Sequence, residues 1–330
     1  MAAARILRVD PFTPDASSWN AAIAEAKAIL AAGGLVAIPT ETVYGLAADA
    51  LSDDAVRAIF AAKGRPATNP LIVHASDVAQ ARSLVSAWPD EAEALARAFW
   101  PGPLTIVVPK GPSIPSAVTA GGETVALRVP AHAVARALIA GFGPLAAPSA
   151  NRSNAISPTT AAHVARGLGD RIDLILDAGP TAGGIESTVV QIAGTVRLLR
   201  PGLVTPSEIE AVVGPIVRGA DPKAAVAASP GLLARHYAPR ARVEVTTDDR
   251  ARVEELAKGA RVGWLSLGAT NGPSGAIVIP MSNDPSAYAA RLYAALHELD
   301  AHGVEVIVVA APPDDDAWLG VRDRLARASA

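Results

Sequence analysis

Thr40, Glu41 and Thr42 stand just past a short apolar run, Leu35-Val36-Ala37-Ile38, which itself follows the helix-stopping pair Gly33-Gly34. Hydroxyls and a carboxylate beyond the end of an apolar strand sit where an open α/β sheet places its ligand contacts. The plainer reading makes Thr and Glu caps of the next element and Tyr44 a core residue. Lys63 and Arg65 flank Gly64 at the end of an expected helix. They suit an anionic group such as a phosphate, although a helix C-terminus favours cations in any case. Arg128 lies inside the apolar run Val125-Ala126-Leu127-Arg128-Val129, where a charge needs a partner. Its planar fork suits a carboxylate held by two parallel bonds. His74 closes another apolar run, and alone it reads as a satisfied structural histidine.

The elements that must position these residues alternate between strand and helix. Trp19, Ile23, Ala26 and Leu30 recur at helical spacing up to Gly33-Gly34; Val56, Ile59 and Phe60 mark a second helix starting near Asp53 or Asp54. Apolar runs at 71–73, 104–108, 124–129 and 172–176 read as strands. Thr205-Pro206-Ser207-Glu208 has capping-box spacing with proline at the first helical position. Between about 214 and 241, Pro215, Gly219, Pro222, Pro230, Gly231 and Pro239 break regular structure and imply a linker. Beyond it, strands are expected at 242–246, 261–267, 276–280 and 304–310, with an amphipathic helix at 285–301. Ser157 before Pro158 reads as a helix cap, and Asp314-Asp315-Asp316 as a cap for the last helix or a solvated run.

The 330 residues suffice for two domains, and with 50% hydrophobic and 18% charged residues extended disorder is not expected. No apolar run approaches the roughly 20 residues that span a bilayer, and no secretory signal pattern opens the chain. With no cysteine, disulfides, thiolate zinc sites and a cysteine nucleophile are excluded together. A soluble cytoplasmic protein is the simplest reading. A net charge of −3 gives no global basic footprint for nucleic acid. The basic residues near these loops therefore read as local ligand contacts, with direct nucleic-acid binding left open.

Eight landmarks then occur in order: Pro39-Thr40-Glu41-Thr42-Val43-Tyr44-Gly45-Leu46; Lys63-Gly64-Arg65-Pro66 with Asn69-Pro70-Leu71-Ile72-Val73-His74; Trp100-Pro101-Gly102-Pro103-Leu104-Thr105; Leu127-Arg128-Val129-Pro130; Ser149-Ala150-Asn151; Ser157-Pro158-Thr159; Glu186-Ser187-Thr188-Val189-Val190; and Arg200-Pro201-Gly202. Together they resemble the YrdC-like, threonylcarbamoyl-AMP synthase family over residues 20–215. Ser229-Pro230-Gly231 and His236-Tyr237-Ala238-Pro239 resemble the linker of its longer, two-domain form. Leu232-Leu233-Ala234 and Ala47-Ala48-Asp49 depart from the common family pattern. The resemblance implies an α/β YrdC-like twisted open sheet as catalytic domain (1–215), a linker acting as lid over the site (216–240), and a small Rossmann-like α/β domain (241–330). No Gly-x-Gly-x-x-Gly fingerprint accompanies the last, so no dinucleotide is expected there.

The family reaction condenses L-threonine, bicarbonate and ATP into threonylcarbamoyl-AMP and pyrophosphate, for modification of tRNA next to the anticodon. By resemblance Arg65, Asn69, Thr124, Asn151, Thr159, Arg200 and Tyr237 contact ATP. Thr42, His74, Arg128, Ser149 and Ser187 likewise contact L-threonine. Lys63 and Arg65 are the candidates for the reacting phosphate or carbamate. No general base is named, although His74 and Glu41 are conceivable. The chain lacks a Gly-x-x-x-x-Gly-Lys-[Ser/Thr] loop, so dispersed cations, hydroxyls and amides must hold the nucleotide. Mg²⁺ is expected to arrive with ATP, since the sequence has no strong metal motif. A downstream tRNA-modifying transferase complex would consume the adenylate. Two alternatives stand beside this reading: a noncatalytic RNA-binding or ribosome-associated module of the same fold, and another carbamoyl-adenylate-forming enzyme.

Overall fold

Short apolar and β-branched runs build two sheets in the computed structural model, which describes residues 3–13, 17–219, 237–268 and 271–330. The larger contains β1 (Arg5–Arg8), β2 (Val36–Ile38), β3 (Gly45–Asp49), β4 (Ile72–His74), β5 (Leu104–Pro109), β6 (Thr124–Arg128), β7 (Leu145–Ala146), β8 (Leu174–Asp177), β9 (Thr188–Ile192), β10 (Val196–Arg200) and β11 (Val217–Arg218). Their order across this open, mixed sheet is β1-β8-β2-β3-β7-β4-β6-β5-β9-β10-β11. The smaller contains β12 (Arg242–Thr246), β13 (Val262–Leu267), β14 (Ala276–Met281) and β15 (Val306–Ala310). Its order is β12-β15-β13-β14, with every pairing parallel. The α/β class expected from sequence, a large open sheet and a small Rossmann-like one, is what the chain forms.

Period-two alternation sets what each face of the large sheet does. Val36 and Ile38 of β2 join one core with Trp19 and Leu30 of the helix Ser17–Ala31 and with Leu138 of Ala133–Phe142. Ala37 faces the other core, which gathers Val56 of Asp53–Lys63, Leu95 of Asp90–Phe99 and Ile209 of Pro206–Val213. Farther along the sheet Val73, Val125, Leu127 and Val190 face that helix-covered core. Their alternates Ile72, Val107, Ala126, Val189 and Leu199 form a separate apolar cluster made of strand residues only. Ile72 of that cluster lines the cavity described below.

The two sheets share packing. Val43, Ile156 and Ile185 from the first part lie in one cluster with Tyr288, Leu292 and Leu296 of the helix Pro285–Ala301. One expectation changes here: Val217–Arg218, read as linker, pairs in parallel with β10 and extends the large sheet. A two-residue strand leaves no periodicity to read. The segment 220–236 carries most of the expected lid, including the departure at Leu232-Leu233-Ala234, and lies outside the described residues. Among the described residues no helix is long and apolar enough to cross a membrane.

Candidate functional site

The helix Asp53–Lys63 begins at the Ser52 cap and stops at Gly64, whose φ of 61° is left-handed. The stop closes the Arg65 amide on the Phe60 carbonyl at 3.0 Å. It also delivers two cations to the sheet. Lys63 Nζ donates to the Ser149 and Asn151 carbonyls at 2.5 Å each. Arg65 donates to the carbonyls of Asn69 (3.1 Å) and Pro70 (3.0 Å). Parallel pairing of β4 with β6 sets His74 beside Arg128 at their carboxyl ends.

Between β2 and β3 the Thr40 hydroxyl donates to the Val43 carbonyl at 2.6 Å and lies 2.9 Å from the Thr42 hydroxyl. Arg128 reaches this loop. Its Nη1 donates to Thr42 Oγ1 (3.0 Å), Nη2 to Glu41 Oε1 (2.6 Å) and Nε to the Gly102 carbonyl (3.1 Å). The other Glu41 oxygen accepts from the Ala131 amide at 3.0 Å. Glu41, conceivable from sequence as a general base, is thus bonded to Arg128 and to the Ala131 amide. At the end of β10, Arg200 donates to the Ser187 carbonyl from Nε (3.1 Å) and Nη2 (3.0 Å). Ser187 Oγ lies 2.8 Å from Thr105 Oγ1.

Arg65, Arg128 and Arg200 all line one cavity, whose lining carboxylate is Glu186. All three are buried, as is Lys63 behind them. Burial lowers the Arg65 pKa to about 10, which leaves it charged at neutral pH. Burial, and then the neighbouring Arg65, pulls the Lys63 pKa well below its ordinary value. Burial, and then the charge of Arg128, lowers His74 to about 3, so its ring is neutral. His74 Nδ1, Asn69 Nδ2 and Asn151 Oδ1 are buried without a partner among the described residues. An unpaired buried polar atom costs roughly 1–3 kcal/mol, and a polar ligand would relieve it. Three arginines against one lining carboxylate, with hydroxyls and an uncharged imidazole beside them, suit an anionic ligand.

Thr42, His74, Arg128, Ser149 and Ser187, the residues the resemblance assigns to threonine, all line this cavity. Of the ATP set, Arg65, Arg200 and Tyr237 line it as well. Asn69 is buried beside Arg65, and Thr124 begins β6. Four residues at roughly 3.3 Å each put Thr124 about 13 Å from Arg128 along that strand. Asn151 instead faces a second cleft with Arg152, His163, Arg166, Arg240 and His297. Thr159 is buried with its Oγ1 3.3 Å from His163 Nδ1.

Three residues behind the cavity wall hold its carboxylate. Glu186 accepts from Ser157 Oγ (2.5 Å), Tyr293 OH (3.0 Å) and Arg324 Nε (2.7 Å). Burial pushes the Glu186 pKa up, but Arg324, Arg200 and these donors outweigh it and hold the carboxyl at about 2. Ser157 is therefore a buried donor to Glu186, not the helix cap expected before a proline. Nor is the acidic run merely solvated. Asp315 caps the turn Asp316–Trp318, and Asp316 binds Arg218 and Ser207. A sequence signal for Arg324 exists: Val321, Arg324, Leu325 and Ala328 form the buried stripe of the last helix, and an arginine on such a stripe needs a partner.

Comparison with known proteins bears on both sheets. Residues 28–202 match the family model described as "Telomere recombination", and residues 204–330 match that of the threonylcarbamoyl-AMP synthase C-terminal domain. The threonylcarbamoyl-AMP synthase of Bacillus subtilis (strain 168) is 42% identical over 96% of this chain and 95% of its own. A shorter protein of that name from Halorhodospira halophila is 40% identical over 50% of this chain and 85% of its own. The crystal structure of Pyrococcus abyssi Sua5 complexed with L-threonine superposes with a TM-score of 0.88 at 40% identity, covering 99% of this chain and 98% of that one. With both parts matched and a relative aligned over nearly its whole length, the chain belongs to the threonylcarbamoyl-AMP synthase family.

Proposed function

We propose that the chain condenses L-threonine, bicarbonate and ATP into threonylcarbamoyl-AMP and pyrophosphate. The observation that carries this reading is the convergence of Arg65, Arg128 and Arg200 on a single cavity rimmed by Thr42, Ser149 and Ser187. Such a site suits a triphosphate and an amino-acid carboxylate held together. The relatives' shared name supports it, as does the binding of L-threonine by the Pyrococcus protein.

Five of the candidate residues, Arg65, Asn69, Thr124, His74 and Arg128, also sort by place. Arg65 reaches the Asn69–Pro70 turn that leads into β4, and Thr124 opens β6, whereas His74 and Arg128 close those strands. In this reading ATP lies toward the strand starts and threonine toward their ends. Arg128 has three of its five N–H groups engaged among the described residues. The remaining two would take the threonine carboxylate, with His74 Nδ1 and Thr42 as further polar contacts. Arg65 and Arg200 would neutralise the phosphates, while Lys63 braces the Ser149 and Asn151 carbonyls. The threonine nitrogen attacks carbon dioxide derived from bicarbonate and loses a proton. A carbamate oxygen then attacks the α-phosphorus, and the bond to the β-phosphate breaks with its electron pair leaving on pyrophosphate. Positioning and charge suffice for such a transfer.

No group of three metal-ligating side chains occurs among the described residues, and both nearby carboxylates already bind arginine. Mg²⁺ would thus be held chiefly by the triphosphate and water, where it neutralises charge. The adenylate would pass to a tRNA-modifying transferase complex. A noncatalytic RNA-binding role has less behind it, because Arg152 and Arg240 beside the second cleft are matched by Asp170 and Asp300.

Pyrophosphate release from ATP, with each cosubstrate omitted in turn, tests the reading. Release should need both L-threonine and bicarbonate. Equal release without threonine would sink it.

A further inference from the structure

We infer that Arg324 and Tyr293, both from the part of the chain that carries the four-stranded sheet, are positioning residues for this condensation. They act through Glu186, fixing the cavity wall at Ser187 and Arg200 and holding Tyr237 against it. The inference rests on the proposed synthase reading.

The last helix brings Arg324 to the cavity wall from the far side. Its Nε donates to the Glu186 carboxylate (2.7 Å), Nη2 to the Glu186 carbonyl (3.2 Å) and Nη1 to the Pro201 carbonyl (3.0 Å). Glu186 directly precedes Ser187, and Pro201 directly follows Arg200; Ser187 and Arg200 are two cavity residues already bonded to each other. One guanidinium therefore ties together the two segments that carry them. Tyr293 adds a third donor to the same carboxylate from the helix Pro285–Ala301.

Tyr237 is stacked onto the same group. Its ring centroid lies 5.3 Å from Arg324 Cζ and 5.7 Å from the Tyr293 ring. Its φ of 61° is uncommon for a residue with a side chain. Such a conformation persists where the surroundings over-determine it. Here those surroundings combine Arg324 and Tyr293 from the second part of the chain with the Asn154 carbonyl of the first, which accepts from the Ala238 amide at 3.1 Å.

Two close backbone approaches flank the ion pair. A Cβ on Gly184 would stand 2.2 Å from the Ala289 carbonyl oxygen, and one on Gly320 would stand 2.7 Å from that of Gly202. The two parts thus dock without play on either side of Glu186. Docking alone does not call for a charge pair. Well-packed apolar residues hold an interface as firmly as a buried ion pair, whose desolvation offsets much of its attraction. What the pair adds is direction: three bonds from one planar fork onto the two cavity-bearing segments.

The test compares the wild-type chain with Tyr293→Phe and Arg324→Lys in threonine-dependent pyrophosphate release. Turnover number and KM are determined separately, at a temperature where circular dichroism shows each variant folded. Tyr293→Phe removes one hydroxyl, and Arg324→Lys keeps the charge while losing the fork. The expected result is a fall of about threefold or more in kcat for either folded variant, larger for Arg324→Lys, because misplacement of reacting groups appears in turnover. A purely architectural role would lower the melting temperature and leave kcat and KM unchanged. Any smaller fall in kcat in folded Tyr293→Phe overturns the inference even if Arg324→Lys does not fold. Absence of threonine-dependent release from the wild-type chain would instead overturn the synthase reading itself.

Discussion

Among the described residues two buried arginines pair with a glutamate, and the two pairs are built differently. Arg128 and Glu41 sit at the cavity, with side-chain exposures of 4% and 17%. Arg324 and Glu186 sit between the two sheets, at 0% and 8%. The first arginine still has donors to spend on a ligand. The second is engaged by Glu186, Pro201 and Asp323 together. An enclosed, nearly saturated pair can only hold geometry, whereas an unsaturated pair at a cavity can also exchange one carboxylate for another. Placement and spare donors, not the residue types, separate a candidate binding arginine from a positioning one.

The sharpest way to break this contrast is to remove one partner of the enclosed pair. Glu186→Ala leaves Arg324 buried without its carboxylate, and such losses cost about 3–5 kcal/mol. Arg128→Ala should destabilise the fold less, because Glu41 lies close enough to solvent to rehydrate. Denaturant unfolding of the two variants measures both effects. Equal losses would mean that burial depth does not distinguish the pairs.

Ligand affinity should show the reverse order. If the free donors of Arg128 take the threonine carboxylate, Arg128→Ala should weaken threonine binding by about 2–5 kcal/mol. ATP binding should change little, whereas Arg65→Ala should impair ATP most. Calorimetry that finds unchanged threonine affinity in folded Arg128→Ala removes the arginine from that role.

How much of this contrast could be read from the sequence follows from the range of each interaction. A charge inside an apolar strand announces that it needs a partner, so Arg128 stood out at once. The partner did not, because Glu41 is 87 residues away and only the order of the strands brings the two together. Ser157 misled for a local reason: serine before proline is the usual cap signature, and nothing nearby reveals a carboxylate 29 residues on. Strand and helix positions were legible because alternation and helical spacing are local. The edge strand Val217–Arg218 was not, being too short to alternate. Glu186 lies inside the Glu186-Ser187-Thr188-Val189-Val190 landmark, yet its partners Arg324 and Tyr293 come from the second part of the chain, out of reach of any local pattern.

Acid should separate the regions in sequence. His74, beside Arg128, takes up a proton at about 3 in the folded chain against an ordinary 6.5, because burial and then Arg128 oppose its charge. The unfolded chain therefore binds that proton first, and stability present above pH 6.5 falls by about 1.4 kcal/mol per unit as the pH drops toward 3. His163 and His297, lowered by burial to about 3 and 4, act in the same direction. Glu186 titrates at about 2 in place of 4.5. Its contribution, about 3 kcal/mol at about 1.36 kcal/mol per unit, is complete above pH 4.5 and is lost as pH falls from 4.5 to 2. Melting temperature against pH should thus decline in two stages, and Glu186→Gln should flatten only the lower one. A Glu186→Gln profile that also loses its upper stage would tie both regions to one titration and dissolve the distinction.

The smallest expected effect comes from an ion pair that, like Arg324–Glu186, joins the two parts of the chain. Arg218, at the edge of the large sheet, bonds Asp316 at 2.8 Å and 3.1 Å and Glu210 at 3.1 Å. The Arg218–Asp316 pair spans nearly the same interface as Arg324–Glu186, with comparable distances. It differs in being open to water, with side-chain exposures of 45% and 35%. Solvent screens such pairs, and ordering two long side chains costs entropy that cancels most of the attraction. Arg218→Ala should therefore leave the melting temperature within about 2 °C of wild type, and whatever difference exists should shrink as salt is raised. Turnover should not change, because the Arg218 side chain, which bonds Asp316 and Glu210, touches neither segment that carries Ser187 or Arg200. Should Arg218→Ala instead lower stability or turnover as far as Arg324→Lys does, every charge pair across the interface would serve alike, and enclosure would no longer explain why Arg324 is placed where it is.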